Sequence, residues 1–254
     1  MSLDPGQSEA YERDGYLVLR DVLAAARVQE IAGWVDEVAS WAVTDGPGLH
    51  HLEQTDTGPA LARSEDLIGH HAGLRSLLTE GLVPELAGEL LGEPALLYKE
   101  KVNYKHPGGA GFAAHQDAPA YRFVDFHVSC MLPLEPATEA SGCLWVAEGR
   151  HREVLAMDGL RGLSDEVVAS LTWHPVELGP GDLLWFDSYV PHRSGTNVTA
   201  VARRALYLTY NAASAGDFRT TYYEDKQATF AGLGGAADRA RLSITDDFLG
   251  RPVP

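Results

Sequence analysis

The segment Ala113-Ala-His-Gln-Asp-Ala-Pro119 carries a histidine and an aspartate two positions apart, and Trp185-Phe-Asp-Ser-Tyr-Val-Pro-His192-Arg-Ser-Gly-Thr196 supplies a second histidine. In an extended chain His115 and Asp117 point to the same side, so that an imidazole and a carboxylate can occupy neighbouring positions on one metal ion. A single His-x-Asp pair is common by chance. With His192 it completes the set of two histidines and one carboxylate that binds non-haem Fe(II) and leaves coordination positions open.

Two strand-like segments carry further polar side chains. In 99–105, strand alternation places one set of polar residues on a single face: Lys99, Lys101, Asn103 and Lys105. We expect this face to line the interior of a barrel, with an edge strand protected by exposed lysines as the alternative. In 203–211, strand alternation places Arg203 on the face that also carries Ala205, Tyr207 and Thr209. On that face its guanidinium can bind a carboxylate through two hydrogen bonds. The alternative is an arginine on the protein surface.

Around these segments, helical patterns come first and short strands follow. Apolar residues recur at helical spacing from Asp21 to Ala42 and from Gly73 to Leu91, with a break predicted near Pro84. Six strand-like runs come next, and a short helix is predicted over Ser164–Leu171. The runs are Ala95–Lys105, Phe126–Leu134, Gly142–Val146, Trp173–Leu178, Leu183–Phe186 and Arg204–Tyr210. This order predicts an α+β, mainly β fold.

We expect a single domain over 1–254. Residues 1–92 are predicted to be mainly helical support and 93–211 the strand-rich core. Residues 212–254 are predicted to form a C-terminal helix and a tail that becomes flexible near Gly232.

The charge of the chain argues against polyanionic partners. It has 20 Lys and Arg against 36 Asp and Glu, a formal net charge of −16. Such a surface repels nucleic acid and anionic membranes, so neither is expected as a partner. No apolar run reaches the ~20 residues of a membrane helix. We therefore expect a small-molecule ligand rather than a polymer.

Two cysteines, Cys130 and Cys143, lie in apolar strand-like runs. We expect two buried, reduced thiols instead of a disulfide or a metal pair. The first ten residues lack the basic and apolar segments of an export signal. A cytoplasmic location is the corresponding prediction.

The motifs together resemble those of the Fe(II)/2-oxoglutarate dioxygenases, and in particular the phytanoyl-CoA dioxygenase-like branch. The order His-x-Asp, then His, then Arg 11 residues later is the family's order. Further matching segments run through most of the chain: Asp14–Leu19, Lys101–Lys105, Ser141–Leu144, Glu148–Arg152, Pro180–Asp182 and His192–Ser194. The resemblance implies a double-stranded β-helix (a jelly-roll, cupin-like barrel) backed by the N-terminal helices.

What the resemblance implies about roles can be placed on single residues. His115, Asp117 and His192 would bind Fe(II), and Arg203 would hold the distal carboxylate of 2-oxoglutarate, with Ser194 hydrogen-bonding nearby. Asn103 and Gln116 match positions that touch this cosubstrate in relatives. Dioxygen would be the oxidant. Because the carboxylate of Asp117 is present, hydroxylation is favoured over halogenation.

The substrate is predicted to be a small anion. The lysine-bearing strand face gives a cationic lining, and 209–217 with 222–226 resemble the phosphonate dioxygenases within the same family. An organophosphonate is therefore favoured, with candidate contacts Lys99, Lys105, Tyr121 and Arg122. A natural-product tailoring hydroxylase acting on an amino acid or another small metabolite is the main alternative. A non-catalytic metal-binding barrel and a zinc hydrolase are further alternatives.

The other histidines receive lesser roles. His106 and His127 lie near the proposed site and are candidates to touch substrate, whereas His151 is expected to be structural. The adjacent pairs at 50–51 and 70–71 are expected in loops or a lid.

Overall fold

A computed structural model describes residues 2–44, 46–55, 58–158, 162–232 and 252–253. Its larger sheet has seven antiparallel strands in the order β1-β9-β6-β11-β4-β3-β2. These strands are β1 (Tyr16–Leu19), β2 (Leu49–Thr55), β3 (Gly58–Glu65), β4 (Ala95–Lys105), β6 (Val128–Pro133), β9 (Leu183–Asp187) and β11 (Arg203–Ala212). Since β4 pairs with β11 on one side and β3 on the other, the edge-strand interpretation of its lysines is wrong.

The smaller sheet has the order β12-β5-β10-β7-β8. Its strands are β5 (Gly111–His115), β7 (Leu144–Val146), β8 (His174–Val176), β10 (His192–Ser194) and β12 (Pro252–Val253). Together the two sheets form the predicted jelly-roll barrel. Alternate residues of the larger sheet, such as Met131, Leu184 and Phe186, pack inward against Leu144 and Val146 of the smaller one.

The opposite face of the larger sheet is covered by helices, as predicted. They are α1 (Pro5–Asp14), α2 (Ala25–Thr44), α3 (Ala72–Thr79) and α4 (Leu82–Leu91). Ile31, Val35 and Leu86 from these helices join Val102 and Leu206 of the sheet in the main hydrophobic core. Each fully buried side chain of this size contributes about 1.5–3 kcal/mol. The remaining helices are α5 (Asp165–Ser170), which lies within the predicted segment and is capped by Ser164, and α6 (Arg219–Gly232).

Some sequence predictions differ from the structure within 1–92. Leu49–Thr55 and Gly58–Glu65 pair as strands β2 and β3 instead of forming helical support, and they extend the larger sheet past β4. The helical break falls at Gly81, where φ is 70°, and not at Pro84. Pro84 lies in the first turn of α4, where backbone N–H groups have no acceptor within the helix. Proline, which has no N–H, is therefore tolerated there. The helix predicted from Asp21 is α2, and it begins at Ala25 because the backbone at 22–23 bonds to the Gly181 carbonyl instead.

Helix α6 is held to the barrel by buried ion pairs. Arg219 contacts Glu100 at 2.6 Å and Asp66 at 2.8 Å, and Lys226 contacts Glu65 at 2.8 Å. The predicted tail after Gly232 lies outside the described residues, except for β12, which pairs with β5. One domain over the whole chain stays a prediction.

Cys130 and Cys143 are buried free thiols, as predicted. Burial raises the pKa of the Cys143 thiol to about 11. None of the described helices has both the length and the apolar character needed to cross a membrane.

Candidate active site

Two histidines face each other across the smaller sheet. His115 on β5 and His192 on β10 are direct partners in the antiparallel register, and their ring centroids are 4.2 Å apart. His115 Nδ1 bonds to the Ala113 carbonyl at 2.8 Å, and His192 Nδ1 bonds to the Val190 carbonyl at 3.0 Å. Because each Nδ1 is used as the donor, each Nε2 is left as the lone-pair nitrogen suited to a metal.

Asp117 completes the cluster directly after β5. One ligand atom from each of His115, Asp117 and His192 lies within 4.8 Å of the others, and all three residues are buried. Burial, reinforced by His192, lowers the pKa of His115 to about 3, so its ring is neutral. Burial works against ionisation of Asp117, but His192, Lys99 and Lys101 hold its pKa below the ordinary value. Two imidazoles and one carboxylate fit a divalent iron ion.

A cavity extends from this cluster towards the ends of β4 and β11. Apolar side chains such as Phe112, Leu144 and Phe186 line part of this cavity. Its polar lining includes Lys101, Asn103, Lys105, His115, Asp117, His192, Ser194, Arg203 and Tyr207. Arg203 is buried and donates to the backbone carbonyls of Ser141 and Gly142. Gly142 has a φ of 72°, and a Cβ there would lie 2.7 Å from Lys105 Nζ, so the cation pair requires glycine at this position.

Lys105 lies at the Arg203 end of the cavity. Its Nζ donates to Ser194 Oγ at 3.1 Å and to the Gly195 carbonyl at 2.5 Å. Burial, reinforced by the Arg203 charge, lowers the pKa of Lys105 to about 7. The structure therefore groups Lys105 with the predicted cosubstrate residues Arg203 and Ser194, and not with the other predicted substrate contacts.

A second cationic group lies at the opposite end of the same strand face. Lys99 Nζ is 4.3 Å from the ring centroid of Tyr121 and 5.7 Å from that of Tyr222 on α6. Burial lowers the pKa of Lys99 to about 8, and the nearby Asp117 carboxylate opposes this. Lys101, over the Tyr207 ring at 5.1 Å, lies between the two ends. Since Lys99 and Lys105 are six positions apart on one strand, their Cα atoms are ~20 Å apart.

Sequence reasoning missed the buried charges that the β2–β3 hairpin adds. Arg63 pairs in register with Asn103, and its Nε donates to Asn103 Oδ1 at 3.2 Å. Glu65 pairs in register with Lys101 and accepts from Lys226. The alternating charges of Arg63-Ser-Glu65 were the available signal, because both side chains share one strand face.

Four predicted site residues are not part of the described cavity lining: Lys99 and Tyr121, which contact each other, and Gln116 and Arg122. Gln116 is fully buried, but its amide donates to the Glu153 and Tyr189 carbonyls and its oxygen accepts from the Leu155 N–H. Strand alternation turns it away from its neighbours His115 and Asp117. Arg122 is exposed and pairs with Asp225 at 3.1 Å. It follows the short 3₁₀ helix at 118–120, which turns the chain outward.

His127, a candidate substrate contact, is completely buried beside the site. Its ring centroid is 4.5 Å from those of both Tyr98 and Tyr121. Within the described part of the chain, neither ring nitrogen has a hydrogen-bond partner. His106, the other candidate, bonds to the Leu61 carbonyl at 2.8 Å.

The remaining histidines belong to regular elements or turns. His50 and His51 are in β2, not in a loop, and His71 caps the N-terminus of α3. His151 packs against Gly15, where a Cβ would lie 2.5 Å from its ring, and this agrees with the predicted structural role.

Comparison with known proteins agrees with this site. The sequence profile of the family described as phytanoyl-CoA dioxygenase (PhyH) matches residues 11–205. The methylphosphonate hydroxylase of Gimesia maris is 44% identical over 99% of this chain and 98% of its own length. The 2-aminoethylphosphonate dioxygenase of an uncultured bacterium is 38% identical over 88% of this chain and 87% of its own.

Among solved structures, the fold matches EctD from S. alaskensis, crystallised with 2-oxoglutarate and 5-hydroxyectoine. The TM-score is 0.72 at 22% identity, over 84% of this chain and 77% of EctD. At this identity the match concerns the fold, and it agrees with the predicted jelly-roll barrel.

Proposed function

The chain belongs to the phytanoyl-CoA dioxygenase family, and from this premise we propose that it hydroxylates a C–H bond of a small organophosphonate. It is an Fe(II)- and 2-oxoglutarate-dependent oxygenase. In the overall reaction, the substrate, 2-oxoglutarate and dioxygen give an alcohol, succinate and carbon dioxide. One oxygen atom of dioxygen enters the alcohol and the other enters succinate.

We assign the metal to His115, Asp117 and His192. When bound, iron with 2-oxoglutarate supplies the oxidising power for cleaving an unactivated C–H bond. The contribution of the chain is to hold two imidazoles and a carboxylate in a buried cluster. The backbone bonds of both Nδ1 atoms keep the rings in the orientation that a metal needs.

We assign the distal carboxylate of 2-oxoglutarate to Arg203 and Lys105, with Ser194 and Asn103 lining the same cavity. A guanidinium and an ammonium buried side by side repel each other, and a carboxylate between them relieves that repulsion. Lys105, a candidate substrate contact in the sequence analysis, is thus assigned to the cosubstrate instead. Gln116 takes no part, because backbone groups already use its amide.

One observation carries the anionic substrate: two buried lysines lie beside the metal cluster. Lys99 and Lys101 are both buried, and each interacts electrostatically with Asp117. Hydrogen bonds from lysine are strongest to an anionic acceptor, and a phosphonate offers up to two negative charges and three oxygens, which a neutral metabolite does not.

The test is a panel assay with matched substrates. Succinate formation is measured with methylphosphonate, acetate, an amino acid and no added substrate, with Fe(II), 2-oxoglutarate and dioxygen present. We expect succinate well above the uncoupled background only with the phosphonate. A preference for the amino acid supports the natural-product tailoring hydroxylase instead. Turnover that needs neither 2-oxoglutarate nor dioxygen supports a zinc hydrolase.

A further inference from the structure

We propose that Lys226 determines specificity by filling, with its own ammonium group, the position that an amino group on the substrate would take. The preferred substrates are then short alkylphosphonates without an amino group. This inference rests on the proposed function and narrows its substrate class.

Glu65 brings a second buried carboxylate close to the site. It ends β3 and is the register partner of Lys101 on β4, so the two side chains lie on the same face of the larger sheet. That face carries Asn103 and Lys105 and lines the cavity. Glu65 is 1% exposed, which places its carboxylate inside the protein on the side of the sheet where Asp117 lies.

Glu65 is already neutralised by groups of the protein. Its carboxylate accepts from Lys226 Nζ at 2.8 Å and lies 3.2 Å from Arg63 Nη1. His51 Nε2 is 3.4 Å away, and burial lowers the pKa of that imidazole to about 3. Burial works against ionisation of Glu65, but Lys226 and Arg63 hold its pKa well below the ordinary value. Glu65 is therefore an anion with cationic partners in place.

Lys226 links this ion pair to the group around Lys99, which we take as the proposed substrate end of the site. Its Nζ is 5.8 Å from the Tyr222 ring centroid, and the same ring lies 5.7 Å from Lys99 Nζ. Lys226 and Glu65 both influence the pKa of Lys99, as Asp117 does. The Glu65–Lys226 pair and the cations beside the metal cluster therefore form one buried group of charges.

An amino group on the substrate would interact unfavourably with this buried group of charges. A buried ammonium needs a carboxylate partner, and the aromatic faces of Tyr121 and Tyr222 already lie under Lys99. The Glu65 carboxylate is held by Lys226. A further cation would be repelled by Lys99 and Arg63. An uncharged methyl or short alkyl group needs no carboxylate partner and is not repelled by these cations. The phosphonate of the same substrate is attracted by them.

The experiment compares three phosphonates in the intact Fe(II) enzyme. Methylphosphonate is the short substrate, 2-aminoethylphosphonate carries the amino group, and propylphosphonate has nearly the same size as the latter without its charge. For the wild type we expect kcat/KM to be at least roughly tenfold lower for the aminoethyl than for the propyl compound. In Lys226→Met, which leaves the carboxylate of Glu65 without its ammonium partner, we expect that ratio to shift towards the aminoethyl compound by roughly tenfold.

Two control variants separate charge from loss of structure. The double variant Glu65→Gln/Lys226→Met removes both charges, and we expect no gain for 2-aminoethylphosphonate. Arg219→Met weakens the attachment of α6 through a different ion pair, and it should leave the aminoethyl-to-propyl ratio at the wild-type value. Circular dichroism of each variant, with Kd values for 2-oxoglutarate, verifies that the barrel is intact.

The outcomes distinguish this inference from the function on which it rests. If the wild type turns over the propyl and aminoethyl compounds equally, or if Lys226→Met leaves their ratio unchanged, the role of Lys226 is refuted while phosphonate hydroxylation stands. The same holds if the double variant gains as much as the single one. If the wild type oxidises no phosphonate, both proposals are refuted.

Discussion

Lys105 and Arg203 are direct partners in the antiparallel register of β4 and β11, and both side chains are buried in one cavity. Two cations placed in this way repel each other, and together with burial this lowers the pKa of Lys105 to about 7. Ser194 Oγ accepts from Lys105 Nζ and fixes its position. The arrangement suits one carboxylate that contacts both cations.

The first prediction concerns the pH dependence of 2-oxoglutarate binding. Below pH 7 Lys105 is charged before the cosubstrate arrives. Above pH 7 it must take up a proton on binding, because the carboxylate favours the ammonium form. We therefore expect Kd to rise with pH above 7, by up to about tenfold per pH unit. Calorimetric titration of the anaerobic Fe(II) protein at pH 6.5 to 8.5, values chosen to bracket this pKa at about 7, measures it.

The control for this prediction is Lys105→Met. Glu53, Arg203 and Cys143 are the groups that act on the Lys105 pKa, and the Cys143 thiol, with a pKa of about 11, stays protonated over this range. We expect the variant to bind 2-oxoglutarate more weakly at pH 6.5, with little further change at higher pH. An unchanged pH slope in the variant contradicts the assignment.

The second prediction concerns Gln116. Gln116→Ala removes three hydrogen bonds to backbone groups and leaves the buried Leu155 N–H without an acceptor. We expect the free energy of unfolding to fall by about 2–3 kcal/mol in urea denaturation. The Kd for 2-oxoglutarate should stay near the wild-type value if the variant is folded. A large loss of cosubstrate affinity at unchanged stability would restore the cosubstrate role that sequence resemblance implied.

Gln116 also shows which side-chain orientations can be predicted from strand alternation in the sequence. Alternation places His115 and Asp117 on one side of the chain and Gln116 on the other, so it opposes the cosubstrate role that the family resemblance implies for Gln116. The same alternation correctly predicted that Lys101 and Lys105 face the cavity. It gave no guidance for Arg122, which follows a 3₁₀ turn where the two-residue period is lost.

The residues that the sequence did not reveal are joined over long separations. Lys226 and Glu65 are 161 positions apart, and no local pattern pairs them. Glu65 itself lies in a hairpin that was assigned to the helical region. The apolar periodicity that identified strand β4 is weak in 49–65, because β2 and β3 carry charged and polar residues on both faces. Tertiary contacts with β4 hold these strands in the sheet.

The third prediction compares two of the proposed substrate contacts. Lys99→Met should raise KM for the phosphonate at least roughly tenfold, since it removes a buried cation beside the metal cluster. Arg122→Met should change KM less than about twofold, because that side chain is exposed and already paired with Asp225. Steady-state kinetics at saturating 2-oxoglutarate measure both variants. Equal effects of the two substitutions would rule out the proposed substrate end.

The fourth prediction concerns the attachment of α6. Arg219→Met leaves the buried carboxylate of Glu100 with its bonds to the Leu67 and Ile68 N–H groups but without a cation. We expect a loss of about 3 kcal/mol in the free energy of unfolding. Arg122→Met, in an exposed ion pair with the same helix, should cost less than about 1 kcal/mol. Similar losses in the two variants would show that burial of Glu100 does not matter.

The most direct test of phosphonate hydroxylation is turnover of methylphosphonate under ¹⁸O₂ with Fe(II) and 2-oxoglutarate, followed by ³¹P NMR and mass spectrometry. We predict hydroxymethylphosphonate and succinate in equal amounts, each with one labelled oxygen, and neither product from Asp117→Ala. Succinate without a hydroxylated phosphonate, or a phosphorus product that forms without dioxygen, would contradict the proposed function.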